Sequence, residues 1–167
     1  MRTPRVTGME KIPGVTRLLA LLGAQLLTWL LLLGHPGAAQ ASLLHFSGAS
    51  PADLGLHDGR LRDCPSPAHC ARQDWPLADP EAALQQLALE LEATPGVRIE
   101  TRVDSPRLSY LHATAESRLF GFVDDLELAL DGSSSSLQAR SESRLGDSDL
   151  GVNARRLDAL RLSLGPA

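Results

Sequence analysis

Phe120-Gly121-Phe122-Val123-Asp124-Asp125-Leu126-Glu127-Leu128-Ala129-Leu130, then Asp131 to Ser136, then Leu137-Gln138-Ala139-Arg140-Ser141-Glu142-Ser143, is the stretch whose reading decides the fold. Phe120, Phe122, Leu126, Leu128 and Leu130 recur at alternate positions, so a strand would carry them on one face. Gly132 and the serines after it make a turn, and Leu137 to Ser143 returns as the partner strand. With Leu130 opposite Leu137, Glu127 meets Arg140 as an opposite-charge cross-strand pair. Asp125 meets Glu142, with Arg140 and Arg144 on the diagonals. Asp124 is the anomaly. It shares the apolar face with Phe122 and Leu126 and lies across from Ser143, and a buried carboxylate must find donors or take a proton.

Working outward, Val97 to Val103 alternates Val97, Ile99, Thr101 and Val103, and Leu108 to Ala115 is compatible with a strand. Short connections between the four strands predict an antiparallel meander. Before it, Asp79-Pro80-Glu81 reads as a helix start with an N-cap, a proline in the first turn and an acidic residue. Leu84, Leu87, Ala88 and Leu91 give that helix one apolar stripe, and Thr94-Pro95-Gly96 ends it. After the strands, a helix opens at Leu150 or Asn153 and buries Leu157, Leu160 and Leu164. The expected fold is α+β: a four-stranded antiparallel sheet, a meander, with one helix before and one after, packed on one face. Residues 79–165 form this core. Residues 42–78, rich in Pro, Gly, Asp and His, read as an irregular arm belonging to the same domain.

Residues 1–41 read as an export signal rather than fold. Arg2, Arg5, Lys11 and Arg17 precede an apolar run from Leu18 to Leu33, and Ala39-Gln40-Ala41 gives a small-residue exit. Cleavage is expected after Ala41, leaving a periplasmic or secreted domain. The alternative is an uncleaved anchor at 18–33, the only membrane association expected, although a span takes about 20 apolar residues. Met9 offers a second possible start. Without residues 1–41 the chain has 12 arginines against 19 carboxylates, a net charge of −7. That balance, with few aromatic residues, excludes a nucleic-acid footprint.

Cys64 and Cys70 bracket a short loop, and outside the cytoplasm such a pair oxidises. A metal set of His57, Cys64, His69 and Cys70 has no standard zinc spacing, and the pair is not the Cys-x-x-Cys of redox sites. His45 and His112 have no evident partner and read as surface or satisfied core residues. No metal and no cofactor is expected.

Asp124, Arg140, Ser141, Ser143, Arg144, Ser148, Asp149, Asn153 and Arg156 gather in one stretch as a single polar centre, with Arg155, Gly146 and Gly151 among them. One reading is a structural network in which Asp124 and Asp149 accept from arginines, hydroxyls and the helix start. The other is a pocket whose arginines and helix start hold an anion. Asp124 or Asp125 as the general acid/base of a hydrolase is a third, without a nucleophile elbow, ligand cluster or phosphate loop behind it.

Phe122-Val123-Asp124-Asp125, Arg140 to Gly146 and Ser148 to Asn153 carry a resemblance. Together with Leu54-Gly55-Leu56, Gly59-Arg60-Leu61, Cys64-Pro65 and Cys70, they resemble the bacterial and plastid domain-of-unknown-function family fourteen ninety-nine. The likeness runs from about Pro51 to Leu162, and its long motif is Ser-Arg-x-Gly-x-Ser-Asp-x-Gly-x-Asn followed by Arg156. One departure is Pro67-Ala68-His69 where the family carries Ser-Pro-Asn before the second cysteine. The resemblance implies a single exported or membrane-associated domain and no particular reaction. The expectation is a non-enzymatic extracytoplasmic module for a small anionic ligand or an envelope protein. The alternatives are a hydrolase using Asp124 or Asp125 and a structural envelope-assembly factor.

Overall fold

The computed structural model describes residues 44–105, 108–131 and 135–165, so the expected signal, its cleavage point and the possible anchor lie outside the described residues. The elements run β1 (Leu56–His57), β2 (Arg60–Leu61), β3 (Cys70–Pro76), α1 (Pro80–Ala93), β4 (Val97–Ser105), β5 (Leu108–Glu116), β6 (Val123–Asp131), β7 (Ser136–Ser143) and α2 (Val152–Ser163). Among the described residues, every strand, both helices and both apolar clusters fall between Leu56 and Leu164, so a chain starting at Ser42 retains them all.

The meander is present in the order β4 to β7, with the register predicted from the turn: Asp124 opposite Ser143, Asp125 opposite Glu142, Glu127 opposite Arg140. The sheet nevertheless has five strands rather than four, in the order β3-β7-β6-β5-β4. The extra strand comes from the arm: β3 pairs antiparallel with β7 and forms an edge. Its sequence hides it, since among its residues only Ala71 and Trp75 reach the main core and Gln73 stands between them. An edge strand also tolerates Pro76, which ends it.

Asp79 caps α1 by accepting from Ala82 N at 2.9 Å. The helix carries the chain from the β3 edge across the sheet to the opposite edge, β4. Leu84, Leu87 and Leu91 of α1 and Leu157 and Leu160 of α2 pack on Leu111, Leu126, Leu128, Leu130 and Leu137. Both helices therefore lie on one face, as the stripes predicted. Phe120 and Phe122 do not join that core. The strand begins only at Val123, because Gly121 N bonds to Ser117 O and Phe122 N to Ser117 Oγ in a turn, leaving both rings more than 40% exposed.

The arm is more regular than expected. β1 and β2 form a hairpin whose two turn residues, Asp58 and Gly59, both have positive φ, the conformation a two-residue hairpin loop requires. It covers the sheet face opposite the helices, where Leu56, Leu61, Leu108, Tyr110 and Ala129 make a second, smaller cluster. Cys64 and Cys70 are joined by a disulfide. Closing so short a loop restricts mainly the unfolded chain. Adding reductant is expected to lower the urea midpoint by an amount equivalent to about 2 kcal/mol. An unchanged midpoint, with thiol titration showing the bond open, would rule that contribution out.

Candidate functional site

Side chains alternate across a strand, so even and odd residues of β6 face opposite ways. This parity divides the polar centre expected from the sequence into two networks on opposite faces of the sheet.

The helix-side network contains Asp124, Ser141, Ser143, Asp149, Asn153 and Arg156. Asp124 accepts from Ser143 Oγ at 2.6 Å and from Arg156 Nη2 at 2.7 Å. Asn153 is fully buried at the start of α2. Its amide nitrogen lies within 3.0 Å of His69 O, Ser143 Oγ and Asp149 Oδ2, and its oxygen accepts from Ser141 Oγ and Arg156 Nη1. Asp149 accepts from Gly151 N and Asn153 N, satisfying two donors that a helix start leaves free. Burial would raise the Asp149 carboxyl, but these backbone N–H groups and the Asn153 amide outweigh it and hold it below its ordinary value. Ser148 stays outside this network: it is exposed and accepts only from Leu150 N, at 3.3 Å.

The arm-side network holds Arg140 and Arg144 with the Glu127, Asp125 and Glu142 that the register places around them, and with Arg62, Tyr110, His112 and Gln138, which sequence reasoning passed over. Arg140 is completely buried and donates to Glu127 at 3.2 Å and Glu142 at 2.5 Å. Glu142 also receives Arg62 at 2.5 Å, and Glu127 receives the Tyr110 hydroxyl and Gly55 N. Gln138 bonds the hairpin directly, accepting from Leu61 N and donating to Gly59 O. The arm is thus fastened to the sheet by polar side chains rising from β5, β6 and β7.

Asp125 is fully buried and takes a bidentate pair from Arg144, at 2.8 and 2.7 Å, and a third contact from His112 Nε2 at 2.8 Å. Burial pushes the Asp125 carboxyl upward, but Arg144 and then His112 outweigh it and keep the pKa below the ordinary value. Burial, reinforced by the Glu127 carboxylate, pushes the Tyr110 phenol far up. Glu100, at an irregularity in the β4–β5 register, accepts from Thr114 Oγ1 and Arg98 Nε.

His112 had no evident partner in the sequence; the structure gives it Asp125. Alternation does not show this, because residues 109–115 of β5 are buried on both faces and the period of two disappears.

Beside this network opens a cleft of about 640 Å³, lined by Ser50, Leu54, Arg98, Glu100, Thr101, Tyr110, His112 and Arg144. Gly48 packs closely against Arg144, one of the lining residues. A side chain there would come within 2.9 Å of Arg144 Cβ and Leu145 Cγ, and φ is +65° besides. Among the described residues, three or more His, Cys, Asp or Glu side chains nowhere gather as a metal site.

A model of one family, described as "Protein of unknown function (DUF1499)", matches residues 53–164. The chain belongs to this family. A search of curated proteins and a search of solved structures returned no match. The DUF1499 match contains the hairpin, the disulfide, both networks and all the cleft residues except Ser50. The departure at Pro67-Ala68-His69 also has a physical account. That loop meets β7 and the approach to α2 through the main-chain oxygens of Ala68 and His69, which any side chains leave in place.

Asp125 and Asp149 both titrate below their ordinary values. A carboxyl depressed on folding contributes stability that is present above the unfolded pKa and lost as pH falls through the folded one. Urea stability is therefore expected to drop as pH is lowered from about 5 to about 2.5. Asp125→Asn should be less stable at neutral pH and show a flatter acid limb. An acid limb identical to that of the unaltered chain would contradict this role.

Proposed function

We propose that the protein is an extracytoplasmic binding module that takes a small anionic ligand in the cleft between the arm and strands β4 and β5. The observation that carries the reading is an unused guanidinium donor beside an unused imidazole nitrogen. Asp125 anchors both Arg144 and His112, while Arg144 Nη1 and His112 Nδ1 have no hydrogen-bond partner among the described residues, and both side chains line the cleft. Arg98 on the rim adds a cation, partly balanced by Glu100. A guanidinium preorganised by a buried carboxylate suits a carboxylate or phosphate group, and His112 Nδ1, the acceptor nitrogen while Nε2–H bonds Asp125, suits a hydroxyl carried by the same ligand. Arg140 and Arg156 are spent on internal carboxylates and have no part in this site. The extracytoplasmic setting is supported by the disulfide and by the export-signal pattern of residues 1–41.

A carboxylate-oriented imidazole beside a cleft is also the arrangement of a general base. Among the described residues, however, no hydroxyl or thiol is hydrogen-bonded to His112. Asp124, the other candidate, is locked by Ser143 and Arg156 away from the cleft. The binding reading is therefore preferred.

Thermal unfolding in inorganic phosphate and in citrate tests it, alongside native mass spectrometry of the chain purified from its own envelope. An anion-dependent rise in the midpoint that disappears in Arg98→Gln and in His112→Gln is the expected result. No response to either anion, with a protein co-purifying instead, would replace the ligand by an envelope partner.

A further inference from the structure

The described chain begins on an apolar surface. Phe46 stacks on Phe122 with ring centroids 5.6 Å apart, and Phe120 lies 5.8 Å from Phe122. Phe46 N donates to Phe120 O, which ties the start of the arm to the turn between β5 and β6. Leu119 on the same turn is 52% exposed, and Leu145, against which Gly48 packs, is 44% exposed. These side chains collect at one end of the sheet, where β5 ends, β6 begins and β7 ends. Three clustered phenyl rings, each more than 40% exposed, are a cost, and exposed apolar groups gathered in this way mark a contact surface.

The sequence says what is near that surface. The apolar run of residues 18–33 ends ten residues before Leu44, a stretch that spans at most about 35 Å. If the run is retained in a bilayer, the leash joins the domain at this end, through Phe46. If the chain is cut after Ala41, the new terminus reads Ser42-Leu43-Leu44-His45-Phe46, an apolar start leading directly into Phe46. The cation beside the patch is Arg118, exposed and without a partner among the described residues, a group suited to a headgroup phosphate. The chain from Ser42 onward carries net charge −7, so attraction to an acidic surface cannot drive the contact; the apolar groups must.

We propose that the end formed by Phe46, Leu119, Phe120, Phe122 and Leu145 docks on a lipid bilayer, inserting these side chains at the headgroup boundary. The contact is peripheral and involves no spanning element. It lies at the end of the sheet and is independent of the reading given to the cleft.

Flotation of the chain from Ser42 onward with vesicles of phosphatidylethanolamine and phosphatidylcholine tests the proposal. The unaltered chain is expected to float, and to keep floating in about 0.5 M salt, where charge attraction is screened. Leu119→Ser with Phe120→Ser should lower vesicle binding about tenfold or more while the chain stays folded, with an unchanged far-UV circular dichroism spectrum at the temperature of the assay. Leu89→Ser, at an exposed apolar position on α1, should leave binding unchanged. Failure of the unaltered chain to float, or equal flotation of the double variant, overturns the proposal. So does a concentration-dependent dimer abolished by the double variant without any vesicle binding, which would assign the patch to a second copy.

Discussion

Arg140→Ala is expected to destabilise the domain by about 3–5 kcal/mol, a larger loss than any other single substitution in either polar network should produce. Arg140 has no exposed side-chain surface and sits between Glu127 and Glu142. Removing it leaves two carboxylates in a region closed by the arm, with a single cation, Arg62, between them. The remaining donors, Tyr110 and Gly55 on Glu127 and Arg62 on Glu142, hold the carboxylates but do not neutralise both. Against a typical domain stability of about 5–15 kcal/mol this is a large share, and melting should fall by more than about 10 °C. Arg140→Lys keeps the charge but loses the fork that reaches both partners, so an intermediate loss is expected. Combining Arg140→Met with Glu127→Gln should recover part of the stability, because the buried charge is then withdrawn from both sides. Urea unfolding at neutral pH measures all three. A loss below about 1 kcal/mol for Arg140→Ala would mean that water reaches this layer and the arm is not sealed on it.

Asn153→Ala is expected to cost about 3 kcal/mol through a different mechanism. No charge is stranded, but Ser141, Ser143, the His69 carbonyl and Arg156 each lose a partner at a site that α2 covers. An unsatisfied buried polar group costs ~1–3 kcal/mol, and rearrangement among the survivors keeps the sum near the upper end of one such penalty. The consequence is local. Hydrogen exchange should quicken in α2 and at the β3–β7 edge beneath it, while amides of β5 and β6 keep their protection. Uniform acceleration across the sheet would show that α2 is not docked through this residue. Asn153→Asp should be no rescue, since the amide donors are lost and a carboxylate is set beside Asp149.

The register of β6 on β7 was legible because two signals agree: an alternating apolar face and a turn of Gly and Ser residues. The two helices were legible for the same reason, a cap and a stripe in phase. β3 was not, because an edge strand under one helix needs only Ala71 and Trp75, and two residues make no pattern. The β1–β2 hairpin did carry a signal in Asp58-Gly59, but strands of two residues leave nothing for alternation to act on. The polar centre shows the opposite failure. The residues gathered there into one site lie in two networks, although parity along β6 and β7 already separates Asp124, Ser141 and Ser143 from Asp125, Arg140 and Arg144. Neighbours in sequence on a strand are a sheet's thickness apart in environment. His112 and Tyr110 were lost for the converse reason: on a strand buried on both sides, polar and apolar residues stop reporting which way they point.

The antiparallel pairing of Cys70 with Glu142 sets an order of events as well as a shape. β3 is made early in synthesis, but four elements must follow before β7 exists to receive it. Until then the chain holds an unpaired edge, and contacts between segments so far apart in sequence slow the approach to the native state. The disulfide needs no such delay, since its six-residue separation lets it close while β3 is still waiting. A chain emerging N-terminus first would therefore carry a preformed loop that the last strand and α2 complete. Shortening the chain from its C-terminal end should cost far more than trimming residues before Phe46.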